Sequence, residues 1–119
     1  MTDRIVLTIP AGARFRGVAT LVLGGIGGRM DLPYERMDDL QLAVLSILDS
    51  TDGDAVTLDV EPDAGRLAVA VGPVRDGSSR DDGLRLVLSR LVDDVAHERR
   101  DGAEWITFGV SNAGHAPTA

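Results

Sequence analysis

Residues 38–50 read DDLQLAVLSILDS, and the apolar spacing within them predicts an amphipathic helix running from Asp38 to Ser50. Leu40, Ala43, Val44 and Ile47 stand at i, i+3, i+4 and i+7, the stripe that packs on a sheet. Leu42, Ser46 and Ser50 fall on a neighbouring ridge, so the two serines are expected to look into the same space. A serine hydroxyl is neither a general base nor a strong ligand for a hard cation.

Upstream of this helix, Ile5, Leu7 and Ile9 alternate with Val6 and Thr8, which predicts a strand ended by Pro10 and Gly12. From Arg14, the positions Phe15, Val18, Ala19, Val22 and Ile26 keep helical spacing. Gly17, Gly24, Gly25, Gly27 and Gly28 each cost about 1 kcal/mol relative to alanine in a helix, so this helix is expected to loosen toward its end. Leu32, Pro33 and Tyr34 make a break, with Pro33 suited to a helix start.

Downstream, Thr51 to Asp54 reads as a turn. Val56, Leu58 and Val60 then alternate with Thr57, Asp59 and Glu61, the pattern of a strand half exposed to water. Pro62 to Gly65 supplies a turn into Leu67, Val69 and Val71, predicting a hairpin. Pro73 to Asp82, PVRDGSSRDD, reads as polar and flexible. The next helix is expected to carry Leu84, Val87, Leu88, Leu91 and Val95 on one stripe, with Asp81 or Asp82 at its start and Arg99 and Arg100 near its end. Trp105 to Val110 gives a final strand and SNAGHAPTA a frayed tail. The order strand, helix, helix, strand, strand, helix, strand predicts an α/β two-layer sandwich, with a mixed, mostly antiparallel sheet and helices on one face. Residues 1–110 form one domain and 111–119 the tail.

At 119 residues the chain can bury roughly 65% of its unfolded surface. Its longest apolar runs fall far short of the roughly 20 residues that span a bilayer. MTDRIVLTIP enters a strand directly, with no basic region followed by an apolar one, so no export signal is expected and a cytoplasmic location follows. Cysteine is absent, which excludes disulfides, thiol nucleophiles and thiolate metal sites. The net charge is −7 and all 12 basic residues are arginine. Such a balance disfavours non-specific attraction to nucleic acid and favours a basic protein surface as partner.

Two stretches together resemble a family. Asp39, Leu40, Leu42, Ala43 and Val44 match the DLxLAVxEAxxN helix of the anti-sigma-factor serine kinases of the GHKL ATPase superfamily. Gly83 to Asp93, GLRLVLSRLVD, is similar to that family's GxGLxLxRxLVD helix, and LAVAVGPV (residues 67–74) to the strand before it. The resemblance implies the GHKL fold, a homodimer formed through the first-helix region, and a sigma factor or anti-anti-sigma protein as partner. It also implies an ATP and magnesium site at positions that here hold Ser46, Ser50, Gly72, Asp81 and Gly83. Ser46 stands in the slot of the Glu that polarises the attacking group, and Ser50 in that of the magnesium-holding Asn. Gly72 replaces the adenine-recognising Asp, and Asp81 replaces the first glycine of the second motif. Thr20 falls where relatives tend to carry an arginine on the first helix. The segment at 73–82 is short for the family's nucleotide lid.

Other motifs have plainer readings beside their functional ones. Ser46 and Ser50 line a vestigial pocket or bond back to their own helix. Asp49 is a displaced magnesium ligand or an exposed helix-end carboxylate. Gly24 to Gly28, GGIGG, lacks a following Lys-Ser or Lys-Thr, and Met30 sits where the third glycine of GxGxxG belongs; close helix packing or a flexible turn accounts for it. Asp49, Asp52 and Asp54 form one acidic cluster. A calcium loop starting at Asp59 with Glu61 and Asp63 would need Gly and Glu where Ala64 and Ala70 stand, so this cluster reads as a solvated strand face and turn. His97, at an exposed helix end, and His115, in the tail, have no triad partner at a useful spacing.

The function expected is therefore a non-catalytic, anti-sigma-like regulator without cofactor or metal, binding neither nucleic acid nor membrane. The alternatives are a divergent ATP-dependent protein-serine kinase, or a pseudoenzyme subunit that pairs with an active paralogue.

Overall fold

Leu40, Ala43, Val44 and Ile47 are each wholly removed from solvent, so the predicted stripe is the centre of the helix layer. The structure, a computed structural model, describes residues 4–51 and 53–111. Five strands, β1 (Ile5–Pro10), β2 (Ala55–Asp63), β3 (Arg66–Val74), β4 (Asp94–Arg100) and β5 (Ala103–Ser111), carry three helices, α1 (Arg16–Arg29), α2 (Tyr34–Leu48) and α3 (Asp82–Leu91). The sheet order is β1-β2-β3-β5-β4. Each neighbouring pair is antiparallel, so the sheet is antiparallel throughout where a mixed one was expected.

Strand alternation sorts the sheet into two faces. Ile5, Val60, Val69, Phe108 and Val95 form one cross-strand row, and Leu7, Leu58, Val71, Ile106 and His97 the next. These rows face the helices. The opposite face carries Val6, Asp59, Ala70, Thr107 and Ala96 in register. Asp59 is not the solvated strand carboxylate of the sequence reading: it is 7% exposed, bonded by Arg4 (Nη2 to Oδ2, 2.6 Å) and by Arg100 (Nη1 to Oδ2, 2.9 Å). The Arg100 guanidinium also lies 4.4 Å from the centre of the Trp105 ring, a cation–π contact that steadies the pair.

The glycine-rich end of α1 does not loosen, and the helix runs without interruption to Arg29. A side chain at Gly27 would overlap the Met37 methyl and crowd Leu32, so its absence lets α1 lie close against α2. The seam is fixed by Gln41, whose Nε2 donates to the Thr20 carbonyl at 3.1 Å. At the other end of α2, the helix stops at Leu48, short of the expected Ser50.

The main correction concerns residues 92–100. The expected stripe through Val95 breaks because α3 ends at Leu91 and Val92 is extended (φ −126°, ψ 165°). Val95 and His97 then alternate on β4, opposite Phe108 and Ile106 of β5. A two-residue turn at Asp101 and Gly102, both with positive φ, joins these strands, as Ala64 and Gly65 join β2 to β3. Termination of α3 has a specific cause. Arg36, only 4% exposed, donates to the Leu91 carbonyl at 3.3 Å, satisfying a group that one more helical turn would have used. The same nitrogen, Nη1, also reaches Asp39 Oδ2 at 3.2 Å, while Nη2 donates to Asp93 Oδ1 at 2.9 Å and Nε to the Ser111 carbonyl at 3.3 Å. Asp93 in turn accepts from the Ser111 N–H at 2.7 Å, so Ser111 belongs to β5 and not to a tail. The remainder of that tail, with His115, lies outside the described residues.

Candidate functional site

The five positions singled out by the resemblance sit on α2, β3 and α3, and each has a local occupation. Ser46 donates its hydroxyl to the Leu42 carbonyl one turn earlier, at 2.8 Å. Ser50 lies past the end of α2, so it does not continue the Ser46 ridge. It engages β3 through its backbone, accepting from the Arg75 N–H at 2.8 Å. Gly72 pairs with Thr57, and a side chain there would collide with the Trp105 ring, which places it toward the sheet face that the helices leave open. Asp81 is the N-cap of α3: its Oδ1 accepts from the Leu84 N–H at 3.0 Å, the usual service of a short carboxylate at a helix start. Gly83 stands one position before Leu84, where an added Cβ would come within 3.3 Å of that capping oxygen.

These groups do not match the donor set of a magnesium-bound triphosphate. That ligand asks for oxygen donors free to meet a hard cation, whereas the Ser46 hydroxyl is spent within its helix and the Asp81 carboxylate caps another. Asp49 caps the end of α2 and pairs with Arg16 at 2.6 Å, beside a cleft of about 190 Å³ that also touches Pro10 and Thr51. No group of three or more His, Asp or Glu side chains is placed to hold a metal among the described residues; Asp52 is not one of these.

The segment after β3, read from sequence as flexible, is instead pinned. It forms a short 3-10 turn at Ser78–Arg80. Glu104 of β5, 6% exposed, accepts from the Gly77 N–H at 3.1 Å and the Ser79 N–H at 2.8 Å. Sequence reasoning passed over Glu104, although it stands in the inward register of Ile106, Phe108 and Val110, where a charge needs a partner.

Hydrogen bonds from the Ser79 backbone first, and then from Gly77, hold the Glu104 carboxyl below the ordinary carboxylate range against the opposing effect of burial. For Asp59 the Arg4 hydrogen bond is the largest cause of a similar depression, with Arg100 adding to it. Both groups therefore contribute stability that is present above their unfolded values, roughly 3.9 for Asp and 4.3 for Glu. That contribution is lost as pH falls through the lower folded values. Urea unfolding followed from pH 7 down to pH about 3 should show a steep acid loss of stability. Asp59→Asn combined with Glu104→Gln should be less stable at neutral pH and show a shallower acid limb. An acid limb unchanged by the double substitution would locate the titration elsewhere.

A second cleft, of about 100 Å³, opens between α3 and β4. It is lined by Ser79, Arg80, Arg85 and His97 over an apolar floor that includes Leu88 and Ile106. His97 therefore sits on an edge strand beside α3, not at a helix end. No helix among the described residues is long and apolar enough to cross a membrane. Comparison of the chain with protein-family models gives no match, and none is found among curated proteins.

Proposed function

We propose that this chain is a non-catalytic regulatory protein on a GHKL-type scaffold, acting by occupying a protein partner of the sigma-factor or anti-anti-sigma kind. The observation that carries this reading is the exposure of large apolar side chains on the outer faces of the helices. Leu21 on α1 is 77% exposed, and Val18 on α1, Leu42 on α2 and Leu86 on α3 are also open to solvent. Leu21 and Leu42 directly follow the two residues joined by the Gln41–Thr20 bond, one on each of the two helices that meet at that seam.

Apolar anchors of this kind supply binding energy once a partner covers them. The net charge of −7 adds steering toward a basic partner surface. The local commitments of Ser46 and Asp81 support a function without phosphoryl transfer, because that chemistry depends on metal and positioned charge.

Two measurements test the proposal. Calorimetric titration with Mg-ATP is expected to give no heat of binding up to millimolar nucleotide; micromolar binding would restore the kinase reading. Co-purification from the native cell is expected to recover a sigma factor or anti-anti-sigma protein, and Leu21→Asp to abolish recovery while the far-ultraviolet spectrum stays unchanged. Failure with the cell's full set of both kinds of protein would remove the proposal.

A further inference from the structure

We propose that the cleft between α3 and β4 is a binding site for a small phosphomonoester, held at its phosphate by Arg80, Arg85 and His97 and at its organic group by the apolar floor. The inference does not depend on the function proposed above.

The first support is the distribution of charge. Arg4, Arg16, Arg36, Arg66, Arg99 and Arg100 all pair with carboxylates. Arg80 and Arg85, like Arg14, Arg29, Arg75 and Arg90, form no salt bridge among the described residues, and in a chain with a charge of −7 these two line one cleft together with an imidazole. Of the nearby acids, Asp82 lies exposed in the first turn of α3 and the others are engaged. Glu104, which feels the charge of Arg80, takes the Ser79 side chain as well as two backbone amides; Asp81 caps α3; and Asp76 lies 3.8 Å from Arg99.

The second support is shape. Arg80 projects from the 3-10 turn that Glu104 anchors, and His97 from a strand paired along its length with β5. Two guanidinium groups present planar N–H forks suited to a tetrahedral oxyanion, and their fixed supports lower the ordering cost of binding. A space of about 100 Å³ accommodates a phosphate group and a few carbon atoms but not a nucleotide. Leu84, Leu88, Val95 and Ile106 give those carbons an apolar surface.

The test is an amide-shift titration of the full chain at constant ionic strength, with phenyl phosphate, inorganic phosphate and sodium acetate as probes. Phenyl phosphate is expected to give saturable shifts centred on residues 78–85 and 95–97, binding several-fold more tightly than inorganic phosphate; acetate should give none that saturate. Arg85→Ala should weaken phenyl phosphate about tenfold, as loss of one charge-assisted contact does, and Arg80→Ala with Arg85→Ala should abolish it. Arg29→Ala, an exposed arginine at the end of α1, should change nothing. Equal weakening by Arg29→Ala, equal affinity for the two phosphates, or shifts centred elsewhere would overturn the proposal. Because Arg80 and Arg85 are exposed, the variants should fold, and their amide spectra report this directly.

Discussion

Replacing Arg36 with alanine should lower the free energy of unfolding by about 3–5 kcal/mol, the usual cost of removing one partner of a buried ion pair. That is a large part of the roughly 5–15 kcal/mol that keeps a domain of this size folded. The guanidinium serves four acceptors at once: Asp39, Asp93 and the carbonyls of Leu91 and Ser111. Alanine removes one donor from each of the two carbonyls and the guanidinium from the Asp93 carboxylate. Lysine retains the charge but not the planar fork, so Arg36→Lys should recover only part of the loss. Urea midpoints of the three proteins give the comparison, and a loss under about 1 kcal/mol for Arg36→Ala would mean that the α3 terminus is held by something else.

The second large effect lies four residues further along the same helix. Leu40→Ala should cost about 2–5 kcal/mol, because the side chain is fully buried and its removal leaves a cavity bounded by well-packed neighbours. Leu42→Ala, two positions on but 45% exposed, should change stability by about 0.5 kcal/mol or less. Measured side by side, the pair tests the orientation of α2 directly. Similar losses at both sites would place Leu42 inside and reverse the face assigned to partner binding.

That orientation was legible from the sequence because apolar residues at helical spacing have only one stripe to bury. The same holds for β1, β2 and β3, where alternation gives the inward row directly. The failure at residues 92–100 has an equally definite cause. Val95 happens to continue the period of Leu84, Leu88 and Leu91, and it is pairing with β5, a contact between segments, that overrides this local phase. A local signal did exist: Asp101-Gly102 is a strong hairpin turn, and the run after it, Trp105 to Val110, alternates.

The site was less legible than the fold. Arg36 falls in phase with Leu40, Val44 and Ile47, and Glu104 in phase with Ile106 and Phe108, so each is a charge on an inward face. Recognising such a residue from sequence requires knowing which distant atom neutralises it, and those partners lie 57 residues away for Arg36 and Asp93 and 25 for Glu104 and Ser79. The resemblance drew attention to Ser46, Ser50 and Gly72, while the cationic cleft is assembled from a loop, a helix and an edge strand that no contiguous motif describes.

The two margins of the sheet differ in a way that limits how chains can stack. β4 lies at one border with Asp94, Glu98, Arg99 and Arg100 along it, and a row of charges resists being matched against another backbone. β1, IVLTIP, borders the other side with no ionisable side chain. Main-chain pairing between molecules can therefore begin at one margin only. Two molecules joined there would present a charged strand at either extremity, and growth would stop at the pair instead of running on into a fibre.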